Sequence, residues 1–254
     1  MVDYDGRMGS VYVAGRGITP EEVRRWTTSI AAYLPEQRPL PFLDLGSGIG
    51  RLTPGLADEF QGPVYGVEPS DRMRETAERI AAHPGVTYLK GSAEDIPLPE
   101  ASVDGVLMFL SFHHFSDQLK ALQEVHRVLR PGGVAVLRSQ FADLMPDLFW
   151  YDYFPSAREV DAGMFLTLGQ SQQVARQAGL VPDDELVWMT AEEPRTLRAT
   201  YERIRLRALS TFEHLPEDEL EPGFDRFAAD AVREPDRLMP VHSAATLLLR
   251  RPSR

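Results

Sequence analysis

Gly46, Gly48 and Gly50 fall at every second position of FLDLGSGIG (residues 42–50), directly after a short apolar run that contains Asp44. Glycine at such a place lets the backbone bend sharply and lets a ligand come close to main-chain atoms. The spacing narrows what that ligand is. A triphosphate loop needs G-x-x-x-x-G-K-[ST], and no Lys-Ser or Lys-Thr follows; a dinucleotide fingerprint needs its third glycine at position 51, which is Arg51. Eighteen residues past Gly50, VYGVEPS puts Glu68 at the end of the next apolar run. A carboxylate there can accept hydrogen bonds from both hydroxyls of a ribose.

The pattern therefore calls for an adenosine-like ligand without a pyrophosphate cradle. S-adenosylmethionine fits: it has a ribose and adenine, no phosphate, and a sulfonium-bearing methionine to lie across the glycine loop. Further along, His113 and His114 follow the apolar run VDGVLMFL (residues 103–110). Imidazole titrates near neutral pH and can take a proton from a hydroxyl or phenol during group transfer. A histidine at a helix start can equally hold a loop by hydrogen bonds, and both readings stand. LFWYDYF (residues 148–154) packs five aromatics into seven positions. Trp150, Tyr151 and Tyr153 read either as an aromatic wall around an apolar acceptor or as lid packing on the sheet.

Composition closes off other chemistry. The chain of 254 residues has no cysteine, so disulfides, thiolate catalysis and thiolate metal sites are excluded. No ligand-spaced His/Asp/Glu cluster suggests a metal. A net charge of −11, from 27 basic and 38 acidic residues, disfavours nucleic acid as a partner. No basic-then-apolar start and no membrane-length apolar run is present, so a cytoplasmic protein without a membrane partner is expected.

The elements that must position these residues alternate. Thr19-Pro20-Glu21-Glu22 predicts a helix start, with the helix running to about Leu34. Strands are expected at 42–45, 63–67, 86–90, 103–109 and 133–139, with helices at about 50–60, 70–81 and 117–130 between them. That order means a parallel sheet with helices on both faces. After Gln140 the rhythm loosens: an aromatic-rich stretch, a helix at 168–179, a strand at 184–190, helices at about 194–213 and 216–232, and a last strand near 242–249. The late helices read as a lid.

Four motifs in register, FLDLGSGIGR, VYGVEPS, GSAEDIPLPEASVDGVLMFLSFHHF and EVHRVLRPGGVAVLRS, span about residues 40–140. On these the chain resembles class I S-adenosylmethionine-dependent methyltransferases, in the branch of quinone-biosynthesis and natural-product enzymes. The resemblance implies an α/β, Rossmann-like, doubly wound seven-stranded sheet whose last strand is antiparallel, with a helical lid inserted in the C-terminal half. It divides one domain into an N-terminal flap and helix (1–36), a binding core (37–140) and a completion of the sheet with lid insertions (141–254).

The resemblance also distributes roles. Asp44 and the loop Gly46, Ser47, Gly48 and Gly50 would face the methionine portion, and Glu68 with Pro69 the ribose. Ser92 and Ala93 would flank adenine; relatives often carry aspartate where Ser92 stands, which makes Glu94 the substitute for the adenine amino group. Met108, Phe109 and Leu110 would close over the methionine side, with Tyr12 and Arg16 on an N-terminal flap, Arg16 against the methionine carboxylate. Where some relatives place an acid after the fifth strand, this chain has Arg138-Ser139-Gln140, so Arg138 and Gln140 are expected to orient the acceptor. The nucleobase-receiving N-P-P-Y-type sequence is replaced by SFHHF, which favours a small-molecule acceptor.

Methyl transfer by direct displacement, with S-adenosyl-L-homocysteine as product, is the expected reaction, with oxygen, nitrogen or carbon as the atom methylated. Two alternatives share the sequence features. One is a protein of this fold that binds S-adenosyl-L-methionine without methylating; the other, opposed by Arg51, is an NAD-dependent oxidoreductase.

Overall fold

The computed structural model describes Gly15 and residues 17–253, so the expectations for Tyr12 and Arg16 lie outside the described residues. Helix α1 (Pro20–Ala31) starts where its capping residues require. Thr19 Oγ1 accepts from Glu22 N–H at 3.1 Å, Glu22 Oε2 accepts from Thr19 N–H at 2.8 Å, and Pro20 fills the first turn. Its inner face buries Trp26 and Ile30.

From there strands and helices alternate: β1 (Phe42–Leu45), α2 (Thr53–Phe60), β2 (Val64–Glu68), α3 (Asp71–Ile80), β3 (Val86–Lys90), β4 (Val103–Phe109), α4 (Gln118–Val128) and β5 (Leu129–Arg138). The later elements are α5 (Ala157–Met164), α6 (Leu168–Gln177), β6 (Val181–Pro182), β7 (Val187–Met189), α7 (Leu197–Ile204), α8 (Glu217–Arg233) and β8 (Ala244–Arg250). The sheet runs β3-β2-β1-β4-β5-β8-β6, with β7 beside β6 on the far side of β8. Strands β1 to β5 are parallel, and β8 is antiparallel to β5.

The expected seven strands thus become seven positions, the outermost split in two. Pro182 lies opposite Leu249 and Val187 opposite Thr246, with residues 183–186 bulged out between them. Pro182 has no N–H for the ladder, which confines it to an edge and breaks the strand there. A similar bulge opens β5: Leu129 pairs with Val103, and pairing resumes at Val134 opposite Gly105.

Both faces of the sheet are buried, as a parallel sheet requires. Phe42, Leu107, Val134, Val136 and Leu248 pack with Trp26, Ile30, Leu56 and Phe60. Leu43, Leu45, Val106, Met108, Ala135 and Leu137 pack with Leu122, Val125 and Ala175. Strand order reverses between β1 and β4, and open α/β sheets bind ligands in the crevice beyond such a reversal.

The lid is a third, aromatic core in which Trp150, Tyr153, Phe154, Phe212 and Phe227 are buried. The helix expected over 194–213 is cut short. Arg207 enters the left-handed region (φ 51°) and a separate 3₁₀ turn forms at Ser210–Glu213. That reversal brings Phe212 edge-on to Phe154 at 5.2 Å and lays the Arg207 guanidinium over Phe224 at 5.1 Å. The segment after β7 is tied to α1 by Arg195, which meets the fully buried Glu22 carboxylate at 2.6 Å.

Candidate active site

The loop after β1 is fixed from two sides. Gly46 N–H and Ser47 N–H donate to Val67 O at 2.8 and 3.2 Å, which anchors the turn to β2. Gly48 N–H donates to Glu68 Oε2 and Ser70 N–H to Glu68 Oε1, both at 3.0 Å. Glu68 is therefore the staple between the glycine turn and the strand beside it. The glycines differ in purpose. At Gly50 (φ +76°) an added Cβ would meet Tyr88 Oη at 2.2 Å, so this residue shapes the turn against β3 and does not line the site, contrary to the sequence expectation. At Gly48 (φ +57°) an added Cβ would meet only Met73 Cε, at 3.6 Å.

These residues wall a cavity of about 500 Å³ at the C-terminal ends of β1, β2 and β4. Asp44, Gly46, Ser47, Gly48, Glu68, Pro69, Ser92, Ala93, Glu94, Phe109 and Leu110 all line it. Arg51, Met73, Ser111 and Phe115 join them; of these only Arg51 carries a charge, and its position was noted in the sequence merely as a missing glycine. Asp44 is buried and accepts from Thr53 Oγ1–H at 2.7 Å. Burial pushes its carboxyl up to about 6, against the lowering effect of the Thr53 hydrogen bond and the Arg51 charge.

Two further cofactor expectations change. Met108 is 0% exposed and packs with Val106 in the α4–α6 core, because alternate residues of β4 point to opposite faces of the sheet. Glu94 does line the cavity, but its Oε1 accepts from Ser116 N–H (2.8 Å), Ser116 Oγ–H (2.9 Å) and Asp117 N–H (3.1 Å). Burial acts to raise its carboxyl, and these donors outweigh that and hold it below the usual range. Glu94 thereby clamps the segment that leads into α4.

A second cavity, also about 500 Å³, lies between the ends of β4, β5 and β8 and the lid. Arg138, Gln140 and Trp150 line it, as do His113 and His114. Tyr151 and Tyr153 do not, and this corrects their reading as acceptor-wall residues. Tyr151 Oη–H donates to Asp161 Oδ2 at 2.7 Å, and Tyr153 Oη–H to Asp230 Oδ2 at 2.9 Å with its ring stacked on Phe227. Both are lid packing. Asp161, Phe165, Trp188 and His242 line the cavity without having been singled out in the sequence. The Arg138 guanidinium lies over Phe109 at 5.3 Å and Trp26 at 5.7 Å, against the ring faces that attract a cation.

Leu110 and His114 line both cavities. Leu110 sits in the left-handed region (φ 55°) while its N–H donates to Arg138 O at 2.9 Å. Ser111 Oγ–H donates to Leu45 O at 2.8 Å, and a one-turn 3₁₀ helix (Phe112–His114) follows. The rings of His113 and His114 lie 3.8 Å apart, and that of His113 lies 4.4 Å from Phe165. Among the described residues no cluster of His, Asp and Glu could hold a metal ion, and no helix is long and apolar enough to cross a membrane.

A family model described as a methyltransferase domain matches residues 43–137. An uncharacterised methyltransferase of Mycobacterium tuberculosis is 38% identical over 128 residues, 50% of this chain and 48% of the relative. The chain thus spans about half the length of the first curated relatives that it matches. The 27-O-demethylrifamycin SV methyltransferase of Amycolatopsis mediterranei is 29% identical over 217 residues, 82% of this chain and 78% of that one. Among solved structures, a protein of Anabaena variabilis described as a methyltransferase from an antibiotic biosynthesis pathway superposes with a TM-score of 0.71. It is 27% identical and covers 90% of this chain and 99% of its own.

Proposed function

We propose that the chain, whose residues 43–137 match a methyltransferase domain and which is similar to methyltransferases over most of its length, is a class I S-adenosylmethionine-dependent methyltransferase that transfers a methyl group to a small-molecule acceptor held in the second cavity. The observation that carries this reading is the meeting of the two cavities at Leu110 and His114. The first cavity suits the donor by its own chemistry: a carboxylate held at the rim by two backbone N–H groups, a glycine position open to a ligand, and no lysine of a phosphate loop. When bound, S-adenosylmethionine supplies an electrophilic methyl on a sulfonium and leaves as S-adenosylhomocysteine.

The chain's own residues then divide the work. Glu68, at the end of β2 and on the wall of the first cavity, accepts the ribose hydroxyls at its carboxylate. Asp44 and the Gly46–Gly48 backbone face the methionine portion, and Ser92 and Ala93 the adenine. Alignment of nucleophile, carbon and sulfur accounts for most of the rate in such a displacement, and the buried walls around Leu110 exclude water from it. His114, shared by both cavities, takes the acceptor's proton on a ring nitrogen. Arg138 and Gln140 orient the acceptor from the end of β5, and Trp150 packs against it from the lid.

A natural-product acceptor with an apolar or aromatic skeleton agrees with the Phe149, Trp150, Phe165 and Trp188 lining and with the rifamycin relative. The net charge of −11 disfavours a polyanion. Incubation of the protein with S-adenosylmethionine and a panel of phenolic, amino and enolic metabolites, followed for S-adenosylhomocysteine, tests the reading. Tight S-adenosylhomocysteine binding with no turnover on any acceptor would move the protein to the non-methylating alternative.

A further inference from the structure

Asp161 is a buried acid that the reaction described above does not use. It projects from α5, is 4% exposed, and lines the acceptor cavity but not the donor cavity. Tyr151 Oη–H donates to its Oδ2 at 2.7 Å and Thr211 Oγ1–H to its Oδ1 at 2.6 Å. Both donors are neutral. Arg158, the basic residue of the same helix, pairs with Asp147 at 2.9 Å on the exposed side, and no arginine or lysine among the described residues forms an ion pair with Asp161. Other arginines line the cavity but are held elsewhere: Arg195 by Glu22 at 2.6 Å, Arg203 Nε by Gly15 O at 2.7 Å, Arg138 over Phe109 and Trp26.

A buried carboxylate without a counter-charge is unfavourable, and here burial also holds its proton affinity above the ordinary aspartate value. A structural tie between the 3₁₀ turns and α5 needs only a neutral acceptor. A carboxylate at a cavity wall is suited to a cation brought in by a ligand, and the Trp150, Phe149 and Phe165 rings of the same cavity add faces that attract one. We infer that Asp161 is a specificity-determining residue that anchors an ammonium group of the acceptor, on an apolar or aromatic skeleton and away from the atom that is methylated. The inference rests on the reading of the second cavity as the acceptor site.

Three probes of one shape test it: 2-phenylethylammonium, 2-phenylethanol and 3-phenylpropanoate. Each is titrated at pH 7.5 into protein saturated with S-adenosylhomocysteine, and tryptophan fluorescence is followed because Trp150 and Trp188 line the cavity. The ammonium is expected to bind about tenfold or more tightly than the alcohol or the carboxylate, a difference within the range of a charged hydrogen bond. Asp161→Asn, whose carbonyl oxygen accepts from one hydroxyl while its amide N–H donates to the oxygen of the other, is expected to erase that preference and leave the alcohol's dissociation constant within about twofold. Glu192→Gln is expected to keep the preference. Equal affinities, preference for the carboxylate, absence of saturable ammonium binding, or a preference that survives Asp161→Asn overturns the inference. Where Asp161→Asn does not fold, the wild-type ranking together with that of Glu192→Gln decides. S-adenosylhomocysteine binding, measured separately by calorimetry, reports on the donor cavity, so loss of the family reading and loss of this inference give different results.

Discussion

Replacing Glu68 with alanine removes two kinds of hydrogen bond at once, and they can be read apart. The carboxylate accepts from Gly48 N–H and Ser70 N–H at 3.0 Å each, and in the proposed function it also accepts the ribose hydroxyls. A hydrogen bond to a charged group contributes about 1.5–3 kcal/mol net. The two backbone donors lie at the cavity wall, where water can replace part of what is lost, so the fold should lose about 2 kcal/mol in all, or roughly 4–8 °C of Tm for a domain of this size. Loss of the ribose bonds should add about 1.5–3 kcal/mol to the binding free energy, which is a roughly 10–150-fold rise in Kd for S-adenosylhomocysteine.

Scanning calorimetry measures the first effect and titration calorimetry the second. A further comparison isolates the hydroxyls: the wild type should prefer adenosine to 2′,3′-dideoxyadenosine, and Glu68→Ala should bind the two alike. Glu68→Gln keeps one carbonyl oxygen for a backbone donor and should fall between the two in Tm. If Glu68→Ala lowers Tm yet leaves both the S-adenosylhomocysteine affinity and the adenosine preference intact, the carboxylate serves the loop alone and the ribose assignment is wrong.

Three more outcomes are expected. His114→Asn should lower kcat by about 10²–10⁴-fold on any acceptor that turns over, with S-adenosylhomocysteine affinity unchanged; wild-type turnover would remove it as the base. Asp44 titrates at about 6 when folded against 3.8 for an ordinary aspartate, so the native state holds the extra proton and stability falls as pH rises through that window. Asp44→Asn should therefore be about 1–3 kcal/mol more stable than wild type at pH 7.5 and close to it at pH 4, by denaturant titration, while binding S-adenosylhomocysteine more weakly; a less stable variant at pH 7.5 contradicts the burial argument. Gly50→Ala drives a Cβ to 2.2 Å from Tyr88 Oη at φ +76° and should cost more than about 2 kcal/mol of stability. Gly48→Ala meets only Met73 Cε at 3.6 Å and should spare stability more but weaken S-adenosylhomocysteine binding; the reverse ranking would mean that the two glycines have been assigned the wrong way round.

The first cavity was readable in the sequence because its determinants are local. A glycine turn after an apolar run and an acid at the end of the next one are short-range patterns, and the structure joins them through Gly48 N–H and Glu68. The misreading of Met108 was avoidable: Met108 alternates with Leu107 and Phe109 along β4, so three consecutive residues cannot face one ligand. The split edge strand had a visible cause in VPDDELVWM, where a proline interrupts the ladder. The lid offered less. LFWYDYF announces an aromatic cluster, but which ring meets the cavity depends on a single 3₁₀ turn (Phe149–Asp152) and on where the hydroxyls find acceptors. Asp161 has no local signature in AREVDAGM, since its partners Tyr151 and Thr211 lie 10 and 50 residues away along the chain. The break at Arg207 is equally silent, because no glycine marks its positive φ.

Leu110 shows how the rigid sheet and the variable lid are coupled. β4 ends at Phe109, and the chain must leave the sheet while Leu110 N–H still donates to Arg138 O at 2.9 Å. The backbone meets both demands at φ 55°, a conformation that costs a non-glycine residue about 1–3 kcal/mol. Glycine would relieve that cost but would remove the Leu110 side chain from the wall that the two cavities share. The same turn lets Ser111 Oγ–H reach Leu45 O at 2.8 Å and His114 N–H reach Ser111 O at 2.9 Å, so one strained residue fixes both the wall and the histidine beside it. The first cavity is thereby set by hydrogen bonds between strand ends, whereas the second is closed by lid residues such as Trp150 and Asp161 that make none of those bonds. In the proposed function, exchange of lid side chains changes the acceptor without disturbing the passage where the methyl is transferred.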